Sequence, residues 1–279
     1  AGANTLDAST FGGSTVLDGA GGDDILRGGS GRDVLIGGTG TNTLTGGAGD
    51  DTYVLSPGEA ATITESASGG NDTLDYSSFT TDVSATLGAT ATAVSGNVAN
   101  IENLIGGSGD DTLTGDTRAN ILAGGPGDDT LTGGAGDDTY VLDPLGTDTI
   151  VEGYNQGSDT LDYSSFTDSV AADLGAASAT GVDEDSSNIA NIENLIGGSG
   201  DDTLTGDARA NRLTGGPGDD TLAGGGGDDT YILTIGGGAD TINEGPGAGD
   251  DTILGPEENT DWIISGADSG TITGGTTFE

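Results

Sequence analysis

Large apolar residues are sparse in this chain and regularly placed. Leu113, Leu122, Leu131 and Tyr140 recur at every ninth position, each between small or polar neighbours, as in Thr112-Leu113-Thr114. Leu26, Leu35, Leu44 and Tyr53 keep the same spacing, as do Leu204, Leu213, Leu222 and Tyr231. A single apolar position flanked by threonine predicts a strand of about three or four residues. Runs such as Gly106-Gly107-Ser108-Gly109-Asp110-Asp111 separate these strands. Glycine accepts a positive φ and aspartate favours turns, so each run predicts a tight turn. A turn and a short strand make half a coil, so two nonapeptides make one full coil. Coils stacked ~4.8 Å apart, apolar residues inward, give an all-β solenoid.

A longer period overlies the short one. Residues 100–142 and 191–233 differ at six of 43 positions. The segment Asp72-Thr73-Leu74-Asp75-Tyr76-Ser77-Ser78-Phe79 recurs at 159–166. The chain therefore divides into a first block with entry coils (1–54), a spacer (55–96), a second block (97–141), a spacer (142–187), a third block (188–232) and a tail spacer unit (233–279). The spacers read as short strands between polar turns, continuing the solenoid in longer, irregular β coils. The tail, with Trp262 as a core residue, resembles the start of another spacer and predicts a segment of a longer repetitive protein.

Composition narrows the chemistry. Asp and Glu number 47 against 5 basic residues, all Arg, for a formal net charge of -42, and Cys and His are lacking. Imidazole bases, thiolate nucleophiles and zinc–thiolate sites are excluded. Nucleic acid is disfavoured as a partner because both polymers are anionic. No apolar run approaches the ~20 residues of a membrane span, so membrane insertion is not expected. Low hydrophobicity with high charge describes a disordered chain unless a cation compensates it. Carboxylate and carbonyl oxygens favour hard cations, calcium foremost.

The nonapeptide fits the pattern Gly-Gly-x-Gly-x-Asp-x-U-x, where U is a large apolar residue. On these motifs the chain resembles the RTX (repeats-in-toxin) family across three blocks of four repeats. The resemblance implies a right-handed parallel β-roll with several calcium ions held between successive turns. It also implies an extracellular, secreted or cell-surface protein exported by the bacterial type I route.

Coils of two nonapeptides pair position six with position six: Asp33 with Asp51, Asp111 with Asp129, Asp202 with Asp220. Three further pairs replace one carboxylate by an amide: Asp24 with Asn42, Asn120 with Asp138, Asn211 with Asp229. Glu102 and Glu193 hold position six in the entry repeats and would complete edge sites. All of these are the expected metal ligands, supplemented by glycine-turn carbonyls, since calcium takes roughly six to eight oxygens. The position-five residues Asp23, Asp50, Asp110, Asp128, Asp137, Asp201, Asp219 and Asp228 are expected to face solvent. Tyr53, Tyr140 and Tyr231 are read as core, and Arg118 and Arg209 as offsetting local acidity.

The expected function is a calcium-binding structural or adhesive repeat module, such as a rod, filament, surface layer or adhesin stalk, that folds on binding the ion. Self-association into a filament or layer belongs to the same reading. The alternative is the export and folding tail of a secreted enzyme whose catalytic domain lies elsewhere. Catalysis within this chain is not expected: abundant Asp makes some carboxylate pair inevitable, so such a pair is no specific sign of a glycosidase. Ranked Thr pairs are explained by strand propensity rather than ice binding.

Overall fold

The computed structural model describes residues 2–95, 98–184, 187–234, 236–244, 249–255, 263–265 and 271–273. Trp262, expected in the core of the tail, lies outside the described residues. Among the described residues, apart from a 3-10 turn at Ile189–Asn191, the regular elements are short β-strands, most of them three residues long. The chain forms an all-β solenoid, as its spacing predicts. It divides into two compact units, residues 1–138 with 145–148, and residues 139–144 with 149–279.

In the first unit, Val16–Asp18, Val34–Ile36, Thr52–Val54, Thr73–Asp75, Asn103–Ile105 and Ile121–Ala123 form one parallel column. Thr5–Asp7, Ile25–Arg27, Gly40–Thr45 and Glu59–Ile63 form a second, and Ser84–Thr86, Thr112–Thr114 and Thr130–Thr132 a third. Leu26 pairs with Leu44, Leu35 with Tyr53 and Leu113 with Leu131, which is the coil of two nonapeptides. Spacer coils are longer: Thr73 follows Thr52 in the same column, and Asn103 follows Thr73.

The second unit repeats this arrangement. Thr139–Val141, Thr160–Asp162, Asn194–Ile196, Arg212–Thr214, Thr230–Ile232, Thr252–Leu254 and Thr271–Thr273 run parallel in one column. Ala171–Asp173, Thr203–Thr205, Thr221–Ala223, Thr241–Asn243 and Ile263–Ser265 run parallel in the other.

The core is one residue wide. Leu26, Leu35, Leu44, Tyr53, Leu104, Leu113, Leu122 and Leu131 are fully buried in the first unit, as are Tyr140, Leu195, Leu204, Leu213, Leu222 and Tyr231 in the second. The spacers at 55–96 and 142–187 each widen it with an aromatic pair. Tyr76 meets Phe79 edge-on at 5.4 Å, and Tyr163 meets Phe166 at 5.3 Å. The repeated Asp-Thr-Leu-Asp-Tyr-Ser-Ser-Phe motif is thus a packing element.

Candidate metal centres

Position six follows the glycine turn, just before the strand begins, so its side chain lies along the inner edge of the turn. In both units this residue is buried: Asp24, Asp33, Asn42, Asp51, Asp111, Asn120, Asp129 and Asp138, then Asp202, Asn211, Asp220 and Asp229. One oxygen of each of several such side chains accepts a backbone N–H from the equivalent residue one coil earlier. Asp33 donates to Asp51 Oδ1 at 2.8 Å, Asp111 to Asp129 at 2.6 Å, Asp202 to Asp220 at 2.8 Å and Asn211 to Asp229 at 2.8 Å. Asp24 donates likewise to Asn42 Oδ1 at 2.9 Å, and Asn120 to Asp138 Oδ1 at 2.8 Å. The position-six residues therefore form a hydrogen-bonded ladder up the stack.

The second oxygen distinguishes two forms of turn. In the closed form, the position-two N–H donates to it: Gly29 to Asp33 at 2.6 Å, Gly107 to Asp111 at 2.6 Å and Gly198 to Asp202 at 2.7 Å. In the open form, positions two and four adopt positive φ, as at Gly47 (115°) and Gly49 (105°), or Gly216 (100°) and Gly218 (135°). Oδ2 of Asp24, Asp51, Asp220 and Asp229 is buried without a hydrogen-bond partner. A buried carboxylate oxygen in that state is costly unless a cation meets it.

The position-one glycine leaves room for that cation. A Cβ on Gly46 would collide with Asp51 Oδ2, one on Gly215 with Asp220 Oδ2, and one on Gly224 with Asp229 Oδ2. Position one thus needs glycine to keep a cradle beside the carboxylate, whereas positions two and four of the open turns need it for backbone conformation. Carbonyls line the same place: a Cβ on Gly19 would lie 2.6 Å from Asp24 Oδ2 and 2.8 Å from the Gly37 carbonyl oxygen. Hard oxygen donors in a buried anionic cradle fit calcium. Burial raises Asp51 and Asp229 to about 6 and Asp220 to about 7, well above ordinary carboxylates.

The amide repeats satisfy themselves. Asn120 Oδ1 accepts the Asp116 N–H at 2.7 Å, and its Nδ2 donates to the Glu102 carbonyl at 2.8 Å. Asn211 does the same with Asp207 and Glu193, at 2.7 and 2.8 Å. Asn42 donates to Gly38 O and to Glu59. Glu102 and Glu193 are engaged as well. Glu102 accepts the Asp72 N–H at 2.9 Å and pairs with Arg118, which also holds Asp116 at 2.7 Å. Glu193 accepts the Asp159 N–H at 3.0 Å and pairs with Arg209, which holds Asp207 at 2.7 Å. The two arginines therefore offset local acidity, as the sequence suggests, by placing a tethered cation against the entry-repeat glutamate.

Arg118→Gln should destabilise the calcium-loaded chain by about 1–3 kcal/mol. This is less than breaking a fully buried pair, because Arg118 is 39% exposed while Glu102 is 8% exposed. The urea midpoint at saturating calcium should fall accordingly, and an unchanged midpoint would show the pair to be idle.

Of the position-five residues, Asp23, Asp110, Asp128, Asp137, Asp201, Asp219 and Asp228 are exposed, whereas Asp50 is half-buried and pairs with Arg32 at 2.7 Å. Asp110 Oδ1 accepts the Asp128 N–H at 3.1 Å.

Sequence reasoning missed the ladder's continuation into the spacers. Asp72 Oδ1 accepts the Asp51 N–H at 2.8 Å, Asp148 that of Asp129 at 3.1 Å, Asp240 that of Asp220 at 3.1 Å and Asp251 that of Asp229 at 3.0 Å. The signal was present, since each is an Asp-Thr pair followed by a leucine or isoleucine. Within the first unit Asp51 is brought together with Glu65 and Asp72, and within the second Asp229 with Glu244 and Asp251, one oxygen of each residue lying within 4.8 Å of the others.

The sequence model of the RTX calcium-binding nonapeptide repeat (4 copies) matches residues 16–53, 105–140 and 196–231. Among curated proteins, none matches the chain. The matched segments coincide with the stacked turns just described. The three blocks match the RTX calcium-binding nonapeptide repeat, and calcium is the cation that such repeats bind.

Proposed function

We propose that the chain is a structural or adhesive module of the cell exterior, whose coils order when calcium enters the turns. Asp24 and Asp220, with neighbouring glycine carbonyls, are groups that would hold ions in the turns, and Asp51 and Asp229 offer an open oxygen where a block ends. The remaining position-six residues build the ladder around them. The observation that supports an extended structural role is the continuity of the spacers. Thr73–Asp75 stands in one parallel column between Thr52–Val54 and Asn103–Ile105, and Thr160–Asp162 between Thr139–Val141 and Asn194–Ile196. Within each unit the spacer lengthens the stack rather than ending it. Weak extracellular sites, up to roughly millimolar, would keep such a chain open in the cytosol and order it after export.

Two measurements test this reading. Antibodies against the chain should label intact cells without permeabilisation. Single-molecule stretching should show force-bearing transitions in millimolar calcium that vanish in chelator. Labelling confined to permeabilised cells would overturn the external location, and calcium-independent force traces would overturn the load-bearing role.

A further inference from the structure

The triads at the ends of the first and third blocks differ chemically from the nonapeptide turns. An open nonapeptide turn offers one open carboxylate oxygen and a set of backbone carbonyls. The triad Asp51, Glu65 and Asp72 brings three carboxylates together, two of them from outside the repeats. Asp51 and Asp72 are fully buried, and Oδ2 of each lacks a hydrogen-bond partner.

Both oxygens face the glutamate. A Cβ on Gly69 would lie 2.5 Å from Glu65 Oε1 and 3.0 Å from Asp72 Oδ2, and one on Gly46 would strike Asp51 Oδ2 and lie 2.7 Å from the Tyr53 hydroxyl. Tyr53 donates that hydroxyl to Glu65 Oε2 and accepts the Gly46 N–H at 2.7 Å. The tyrosine thus holds the glutamate by one oxygen, while the other, Oε1, accepts the Ser66 N–H at 2.7 Å and lies on the Asp72 side. In the second unit, Asp229 is buried with Oδ2 unpartnered, and Tyr231 accepts the Gly224 N–H at 2.5 Å beside it. Glu244 and Asp251 complete that triad.

We propose that these two triads are a second class of calcium site, built by a spacer glutamate and aspartate on the last nonapeptide aspartate and organised by the block-closing tyrosine. Three converging carboxylates on a rigid coil suit a hard divalent cation, and a higher ligand charge makes the site tighter than a turn with one. The proposal is independent of where the protein resides.

The test counts calcium on the full chain. Calorimetric titration of the Glu65→Gln/Glu244→Gln variant is compared with the unaltered protein, with circular dichroism confirming β-structure in both at saturating calcium. Two ions per chain should leave the tight set, their affinity falling tenfold or more, while the other sites keep theirs. Unchanged counts and affinities would overturn the proposal. Where the variant does not reach the β spectrum, Tyr53→Phe/Tyr231→Phe keeps every carboxylate. Terbium(III) beside a tyrosine ring emits on tyrosine excitation, so sensitised emission should fall at an unchanged terbium count. Emission unaffected by removing both tyrosines would overturn the proposal equally.

Discussion

In chelator at pH 7.5 the chain should lose its β far-UV circular dichroism signal, and millimolar calcium should restore it. The reason lies in how little apolar surface each repeat buries. A nonapeptide inserts one leucine or tyrosine, a gain of about 2–3 kcal/mol, while ordering each of its residues costs about 1–2 kcal/mol in backbone entropy. Hydrogen bonding along the columns narrows that gap but adds only about 1 kcal/mol net per bond. The carboxylates then work against the metal-free fold. Asp51, Asp72, Asp220 and Asp229 are buried, each with an oxygen that lacks a hydrogen-bond partner, in a chain of net charge -42. Calcium reverses that balance because it binds sites that the unfolded chain hardly possesses. At a hundredfold excess over its dissociation constant, each ion contributes about 2.7 kcal/mol. Several sites acting together therefore move the equilibrium from open chain to solenoid over a narrow calcium range. Spectra that coincide with and without chelator would refute calcium-dependent folding.

The inward column was legible in the sequence because nothing competes with it. Leu26, Leu35, Leu44 and Tyr53 are the large apolar residues that keep the nine-residue spacing, and a coil closed by glycine turns has one place to put them. The ladder was legible only where that spacing survives. At Asp72 and Asp251 insertions lengthen the coil, yet the hydrogen bond from the coil before is kept. The Asp-Thr-apolar tripeptide marks those positions better than periodicity does. Glu65 was not legible, since its place depends on a tertiary contact with the Tyr53 hydroxyl, across a turn of the chain. Nor were the two turn forms, because Gly28-Gly29-Ser30-Gly31 and Gly46-Gly47-Ala48-Gly49 share one pattern. What separates them is the neighbouring coil. The closed turns of Asp33, Asp111 and Asp202 stack on a phenylalanine carbonyl, which takes the N–H of Ser30, Ser108 or Ser199. The open turn of Asp51 stacks on other glycines, with Gly29 and Gly31 carbonyls against Gly47 and Gly49.

Without calcium, mild acid should substitute for the ion: the metal-free chain should show more β-structure at pH 5.0 than at pH 7.5. Burial holds Asp51 and Asp229 at about 6, and Asp72 and Asp220 at about 7, against 3.8 for an ordinary aspartate. Nearby carboxylates add to the effect, chiefly Glu65 and Asp51 at Asp72, and Asp240 and Asp202 at Asp220. A carboxyl whose pKa is higher in the folded state than in the open chain favours folding when protonated. That contribution is complete below about 3.8 and disappears as pH rises through 6 to 7. For one such group the difference at pH 7.5 is roughly 3 kcal/mol, a large share of the roughly 5–15 kcal/mol that holds a typical domain. At pH 5.0 these buried groups carry protons, while exposed aspartates remain largely ionised and the chain stays above its isoelectric point of about 4.1. Gain of structure there isolates the buried set from general charge neutralisation. In saturating calcium the direction should reverse, because protons then compete with the ion for the same oxygens. A metal-free chain equally disordered at both pH values would mean that the open Oδ2 atoms do not limit folding.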